Sequence, residues 1–241
     1  MQSNSLGTIL FIAFFLFGIG IFVVLIIYGT NKINNREKSI SEGAKQRGWQ
    51  YEGYSKKFTY RLQGRSSQIR WRVDAWVSKR ARSKRTNATT KWYTEDINLL
   101  HLELVIRSQT VYALEMSALG QGSLAVANTL VSAIGLQKSE LGELQQTGTT
   151  LRLAQSPLKE NFVIVTRDPA LVDRLLDARA QGCLKRWLES AHITDQARKS
   201  LHVDLGQNNL RVYVNVVLEN IESVDLLVEL GQTLAQNYQG S

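Results

Sequence analysis

The sequence predicts an α+β protein: an N-terminal transmembrane helix, then a domain whose antiparallel sheet is covered by helices on one face. Three observations carry this. Residues 6–28 form an uncharged run of 23, of which 17 are Leu, Ile, Phe or Val. Several later runs alternate apolar and polar residues with a period of two, as half-buried strands do. The order is strands first, then mixed, with hairpins throughout and no repeating strand–helix–strand unit.

The apolar run is long enough to span. A helix of 23 residues reaches about 34 Å, against a hydrocarbon core of about 30 Å. Its insertion free energy sums to about −5 to −10 kcal/mol as an upper bound. A cleaved signal peptide would have a shorter apolar region, a basic leader and a small-residue cleavage site. Here residues 1–5 carry no Lys or Arg, and the residues after Tyr28 offer no such site. The net charge of +8 is uneven: residues 30–92 hold 17 Lys/Arg against four Asp/Glu, a net +13, and residues 93–241 carry −5. Lys32, Arg36, Lys38, Lys45 and Arg47 all follow the apolar run closely. Basic flanks stay on the cytoplasmic side. The expected layout is a short extracytoplasmic tail (1–5), a single membrane span (6–28), a basic juxtamembrane segment (29–48) and a cytoplasmic domain (49–241). The membrane would be the cell's inner or plasma membrane. Cys183 stands alone, so the chain forms no internal disulfide, which suits a reducing compartment.

In order, residues 31–47 read as a polar helix with a thin apolar stripe of Ile33, Ile40 and Ala44, ended by Gly48. Gly29, Thr30 and Asn31 form either a continuation of the anchor or a hinge. A short strand is expected near 58–64. In 69–77, Ile69, Trp71, Val73, Ala75 and Val77 share one face, and Arg70, Arg72, Asp74 and Trp76 the other. Residues 78–91 read as a long polar hairpin loop. Residues 98–107 alternate again, and a tight turn at Ser108 and Gln109 leads to a strand over 110–116. The uncharged stretch 116–137 reads as a small-residue helix, either core or an interfacial helix. A strand is expected at 162–166, and Asp168 with Pro169 opens a helix. Another helix is expected at 182–191, a hairpin at 201–205 and 210–218, and an amphipathic helix at 221–238.

This order of parts resembles a family of uncharacterised bacterial single-pass membrane proteins. The matching features are the anchor, the basic linker, the motif Gly48-Trp49-x-Tyr51, and the strand, polar loop and strand of 69–107. The helix opened by Asp168, Pro169, Ala170 and Leu171 and the closing hairpin and helix also match. The resemblance implies this fold and topology. It implies no reaction, and its loop, often Ser/Thr-rich in such proteins, is unusually basic here.

No constellation for chemistry is visible. His101, His192 and His202 are scattered and lack metal-ligand spacing to Cys, Asp or Glu. Residues 120–123 lack the lysine of a phosphate loop. Cys183 follows Gly182 near an expected helix start, where a thiolate could be stabilised, but a buried thiol is the plainer reading. No catalytic, cofactor-binding or metal-binding residue is assigned, and no cofactor is expected. The one surface signal is Lys79, Arg80, Arg82, Lys84 and Arg85. These are candidates for anionic lipid headgroups, because an anchor keeps the loop near a negative leaflet. The expected role is a membrane-tethered, non-enzymatic binding module, with an unknown membrane or cytoplasmic protein as a further partner. Two alternatives remain: an enzyme whose site is assembled from residues distant in sequence, and a nucleic-acid-contacting membrane protein. The sequence disfavours nucleic acid, because no aromatics are interleaved with the basic run.

Overall fold

Every strand after Gly48 finds an antiparallel partner, which settles the fold class. The computed structural model describes residues 3–55, 57–66, 68–79, 86–97, 99, 101–120, 144, 147–153, 157–206 and 209–240. Its strands are β1 (Gln50–Glu52), β2 (Tyr60–Ser66), β3 (Ile69–Lys79), β4 (Thr86–Thr94) and β5 (Leu104–Ser108). They continue with β6 (Thr149–Leu151), β7 (Phe162–Thr166), β8 (His202–Gly206) and β9 (Asn209–Val214). Together they form one sheet in the order β1-β2-β3-β4-β9-β8-β5-β7-β6. The helices are α1 (Ser3–Gln46), α2 (Gln109–Gly120), α3 (Leu158–Asn161), α4 (Pro169–Leu175), α5 (Ala178–Glu189), α6 (Asp195–Lys199) and α7 (Ile221–Gln239).

α1 is continuous through residues 29–31, so no hinge divides it. It ends at Gln46, and Gly48 just beyond adopts φ +69°, a conformation that favours glycine. Its last turns belong to the core: Ile40 and Ala44 are fully buried, and Arg47 pairs with Asp225 of α7. Trp49 then packs edge-on against Trp71 at 5.0 Å. Among the described residues no helix is long and apolar enough to cross a membrane, so the expected anchor is not supported there. Within residues 6–28 the side chains of 6–13, 16, 25, 26 and 28 lie outside that description.

The sheet's main core face carries Leu62, Trp71, Val73, Ala75, Trp92, Val212, Val203, Leu104 and Ile106, all buried. α7 crosses this face, with α4, α5 and the end of α1 beside it. Helix starts are set locally. Asp168 caps α4 through Ala170 N–H at 2.9 Å, Asp177 caps α5 through Ala180 N–H at 2.8 Å, and Asn220 caps α7 through Ser223 N–H at 2.8 Å. Each such cap is worth about 1 kcal/mol.

Several expectations need correction. Helices lie on both faces of the sheet, because α2 packs on the side opposite α7. Residues 108–116 are not a turn and strand. Ser108 Oγ accepts the Val111 N–H at 3.4 Å, which starts a helix and brings Tyr112 and Glu115 onto the sheet. The hairpin loop is shorter than 78–91, because Thr86–Thr94 is strand β4. Thr90 explains part of this: its hydroxyl donates to Val216 C=O at 2.8 Å and accepts from Leu218 N–H at 2.9 Å. Among the described residues of 98–107 the strand begins at Leu104, and there both faces are buried. The helix expected at 182–191 begins at Ala178, and the strand expected at 210–218 stops at Val214. Of the uncharged stretch 116–137, residues up to Gly120 are helical, and residues 121–143 lie outside the described residues.

Candidate functional site

The sheet face opposite α7 is polar, and strand register assembles it. Two cross-strand rows run over it. The first joins Gln50, Gln63, Arg72, Tyr93, Arg211 and Asp204 as successive partners from β1 to β8. The second joins Glu52, Arg61, Asp74, Lys91, Tyr213, His202 and Arg107. None of these residues is near most of its neighbours in sequence. The sequence signal was the shared face of Arg70, Arg72, Asp74 and Trp76 in β3; the partners needed the register.

The β1–β4 end of this face is open. Arg61 donates to Asp74 at 2.6 Å, with Glu52 within 3.7 Å. Aromatic rings interleave with the cations. Arg72 lies over Tyr93 at 5.4 Å, and Lys91 lies over Tyr93 at 4.7 Å and Trp76 at 5.6 Å. Burial lowers the Lys91 pKa, and neighbouring Arg211 lowers it further. A cleft of about 490 Å³ opens at this end, lined chiefly by Gln63, Arg65, Arg70, Arg72, Tyr93 and Asp96.

The β8–β5 end is closed and charged. Arg107 is fully buried and donates to Asp204 at 2.6 Å, to Glu115 of α2 at 3.1 Å, and to Val203 C=O at 3.1 Å. Burial works against its charge, but Asp204, Tyr213 and Glu115 outweigh that and hold its pKa up. Glu115 is also raised, because burial outweighs its attraction to a guanidinium shared with Asp204. His202 stacks on Tyr213 at 4.5 Å, and burial beside Arg107 keeps it neutral, well below its usual pKa. Among the described residues the buried Nδ1 of His202, Oδ2 of Asp204 and hydroxyl of Tyr213 have no hydrogen-bond partner. We read this end as a structural ionic network: it is sealed from solvent, and no entrance leads to it among the described residues.

The remaining candidates fall elsewhere. His101 is exposed in a bend rather than in the expected strand, and His192 is exposed in a turn. Cys183 sits mid-helix, buried, 3.7 Å from Thr233 Oγ1, not at a helix start. Among the described residues no group of His, Cys, Asp or Glu could hold a metal ion. Lys79 closes β3 opposite Thr86, and Arg80, Arg82, Lys84 and Arg85 lie outside the described residues.

The direction of the β3–β4 hairpin follows from α1. Arg47 stacks on Trp49, beside Trp71, at one end of β3. Glu37 lies beside Tyr51 and Gly53, at the level of Val73 to Ala75. Ten helical residues (about 15 Å) therefore match four strand residues (about 13 Å), so α1 and β3 run alongside each other in opposite directions. Four more strand residues bring Lys79 level with about residue 28 of α1.

Comparison of the chain with family models, curated proteins and solved structures finds no match.

Proposed function

We propose that this protein is a membrane-tethered, non-enzymatic binding module. Residues 6–28 are its anchor, its domain lies in the cytoplasm, and its β3–β4 hairpin touches anionic lipid. The observation that carries the reading is the hairpin's direction. Extrapolated at the helix and strand rises, β3 runs back along α1 to the level where the apolar run ends, and the sequence from its last residue onward holds Lys79, Arg80, Arg82, Lys84 and Arg85. The exposed side chains of α1 support the anchor. Phe14, Phe15, Phe17, Phe22, Val23, Val24 and Ile27 are 45–76% exposed and surround the helix, a pattern that needs an apolar environment.

Each basic residue near an anionic leaflet contributes about 1 kcal/mol, falling off over a Debye length of about 8 Å. Five give at most about 5 kcal/mol, before the cost of ordering the loop. That gives a detached domain only weak binding, measurable at high lipid concentration, and it suffices to fix the orientation of a tethered one. Two experiments test this. C-terminal fusions should give fluorescent GFP and inactive alkaline phosphatase; the opposite pair reverses the topology. Liposome flotation of residues 32–241 should require phosphatidylglycerol and fail at high salt. Replacing the five basic residues by Gln should abolish it with the melting temperature unchanged. Binding to neutral liposomes, or binding that survives salt, would remove charge as the cause.

A further inference from the structure

The cleft at the open end of the polar face has a feature that folding alone does not explain. Arg65 and Arg70 are direct cross-strand partners, and Arg72 extends the same face. Like charges placed opposite each other on neighbouring strands are destabilising. Asp96 bonds one of the three: it accepts the Arg70 N–H at 2.6 Å and Arg70 Nη2 at 3.1 Å. Arg65 and Arg72 have no ion pair among the described residues, and Arg72 is held instead over the ring of Tyr93. Two guanidiniums without an ion pair, Arg65 with Asp96 acting on it only through space, therefore flank a half-exposed aromatic ring in a cleft of about 490 Å³, within the roughly 300–1,000 Å³ of small-molecule sites.

We propose that this cleft binds a soluble phosphate ester of a planar ring, of mononucleotide size. The phosphate lies between Arg65 and Arg72, where charge-assisted and bidentate bonds are available. The ring joins the stack that Arg72 and Lys91 already make with Tyr93, where a guanidinium plane and a phenol ring both accept a planar heterocycle. The acidic rim sets the size. Glu95 and Asp96 line one end and Asp74 and Glu52 stand beyond the other, so a polyanionic strand continuing in either direction meets carboxylates. Position sets the source. Nine strand residues separate Arg70 from Lys79, about 30 Å along β3. If the hairpin tip lies at the membrane, as proposed above, the cleft is beyond the reach of lipid headgroups, and its ligand comes from the aqueous phase.

The test uses the full chain in neutral detergent micelles, with calorimetric titration of adenosine monophosphate, adenosine, inorganic phosphate, a single-stranded dodecamer and phosphatidylglycerol vesicles. Adenosine monophosphate should bind saturably. Arg65→Gln and Arg72→Gln should each weaken it about tenfold, the loss of one charge-assisted contact. Arg65 is exposed, so its replacement keeps the fold. Tyr93→Leu should reduce adenosine monophosphate to the affinity of inorganic phosphate, and Lys185→Gln, on α5, should change nothing. The proposal fails if no saturable binding occurs up to about 10 mM, if both arginine variants bind as the parent does, or if adenosine binds as tightly as its monophosphate. A dodecamer binding more than about tenfold tighter than the mononucleotide would overturn the small-ligand assignment. Displacement by the vesicles would overturn the soluble source, and would do so whatever the fusion reporters say about topology.

Discussion

Arg107→Met should be the most damaging single change on the polar face. The guanidinium is fully buried and donates to two buried carboxylates and to the carbonyls of Val203 and Ile106. Methionine fills a similar volume, so little cavity is created and the loss is electrostatic. Asp204 and Glu115 are left as uncompensated buried charges, at a cost of about 3–5 kcal/mol. For a domain of this size, each kcal/mol lowers the melting temperature by about 2–4 °C, giving a fall of about 6–20 °C. The loss also has a pH signature. Without the arginine, folded Glu115 loses the attraction that opposes its burial and binds its proton at higher pH than an unfolded carboxylate does, so the variant's stability falls as pH rises through that window. The deficit should therefore be larger at pH 8 than at pH 5. Tryptophan-fluorescence melts of the full chain in neutral detergent would measure both. The triple variant Arg107→Met, Asp204→Leu, Glu115→Leu removes all three charges and should recover to within about 1 kcal/mol of the parent. A single variant within about 1 kcal/mol of the parent, or a triple as unstable as the single, would refute the buried network.

Other outcomes follow from the packing. Residues 43–241 lack Ile40, whose burial is worth about 1.5–3 kcal/mol, so this fragment should melt below residues 32–241; equal melting would show that the end of α1 is dispensable. His202 is buried and neutral, so the folded state cannot take up the proton that the unfolded state binds below about pH 6.5. Its contribution is a stability loss of about 1.4 kcal/mol per pH unit below that point, and His202→Gln should flatten the slope between pH 7 and 5; an unchanged slope would mean another group titrates. At Gly206, an added Cβ would sit 2.4 Å from Leu102 Cα and 2.5 Å from His101 O. These are backbone atoms that cannot turn aside, so Gly206→Ala should cost about 1–3 kcal/mol in a denaturant titration, and a neutral result would refute that close approach.

The fold was most legible where local chemistry is self-contained. The alternation of Ile69, Trp71, Val73 and Ala75 predicted β3 and its inward face, and the cap at Asp168 placed α4 to the residue. It was least legible where distant partners decide. Residues 110–116 carry no decisive period, and Glu115 becomes helical in company with Arg107, a neighbour contributed by β5. Thr86–Lys91 looked like loop because the run is polar, yet β3 on one side and β9 on the other provide its backbone partners. Thin apolar content at Ile40 and Ala44 suggested a linker, although two side chains sufficed once α7 lay beside them.

The candidate site divides in the same way. The sequence by itself determined the apolar run at 6–28, the basic character of residues 30–92 and the cluster at 79–85, because composition and short-range period are properties of adjacent residues. It also held the hint that Arg70, Arg72, Asp74 and Trp76 share a face. Only the tertiary structure decided that Tyr93 lies beside Arg72, that Arg65 opposes Arg70, and that Arg107, Glu115 and Asp204 meet in the interior. Those contacts cross strands, and their identity depends on register: a slip of one residue would turn every one of these side chains to the other face. Register is set by the buried face, through Trp71, Val73, Trp92 and Val212. The apolar residues that were easy to read thus fix the places of the polar ones that were not.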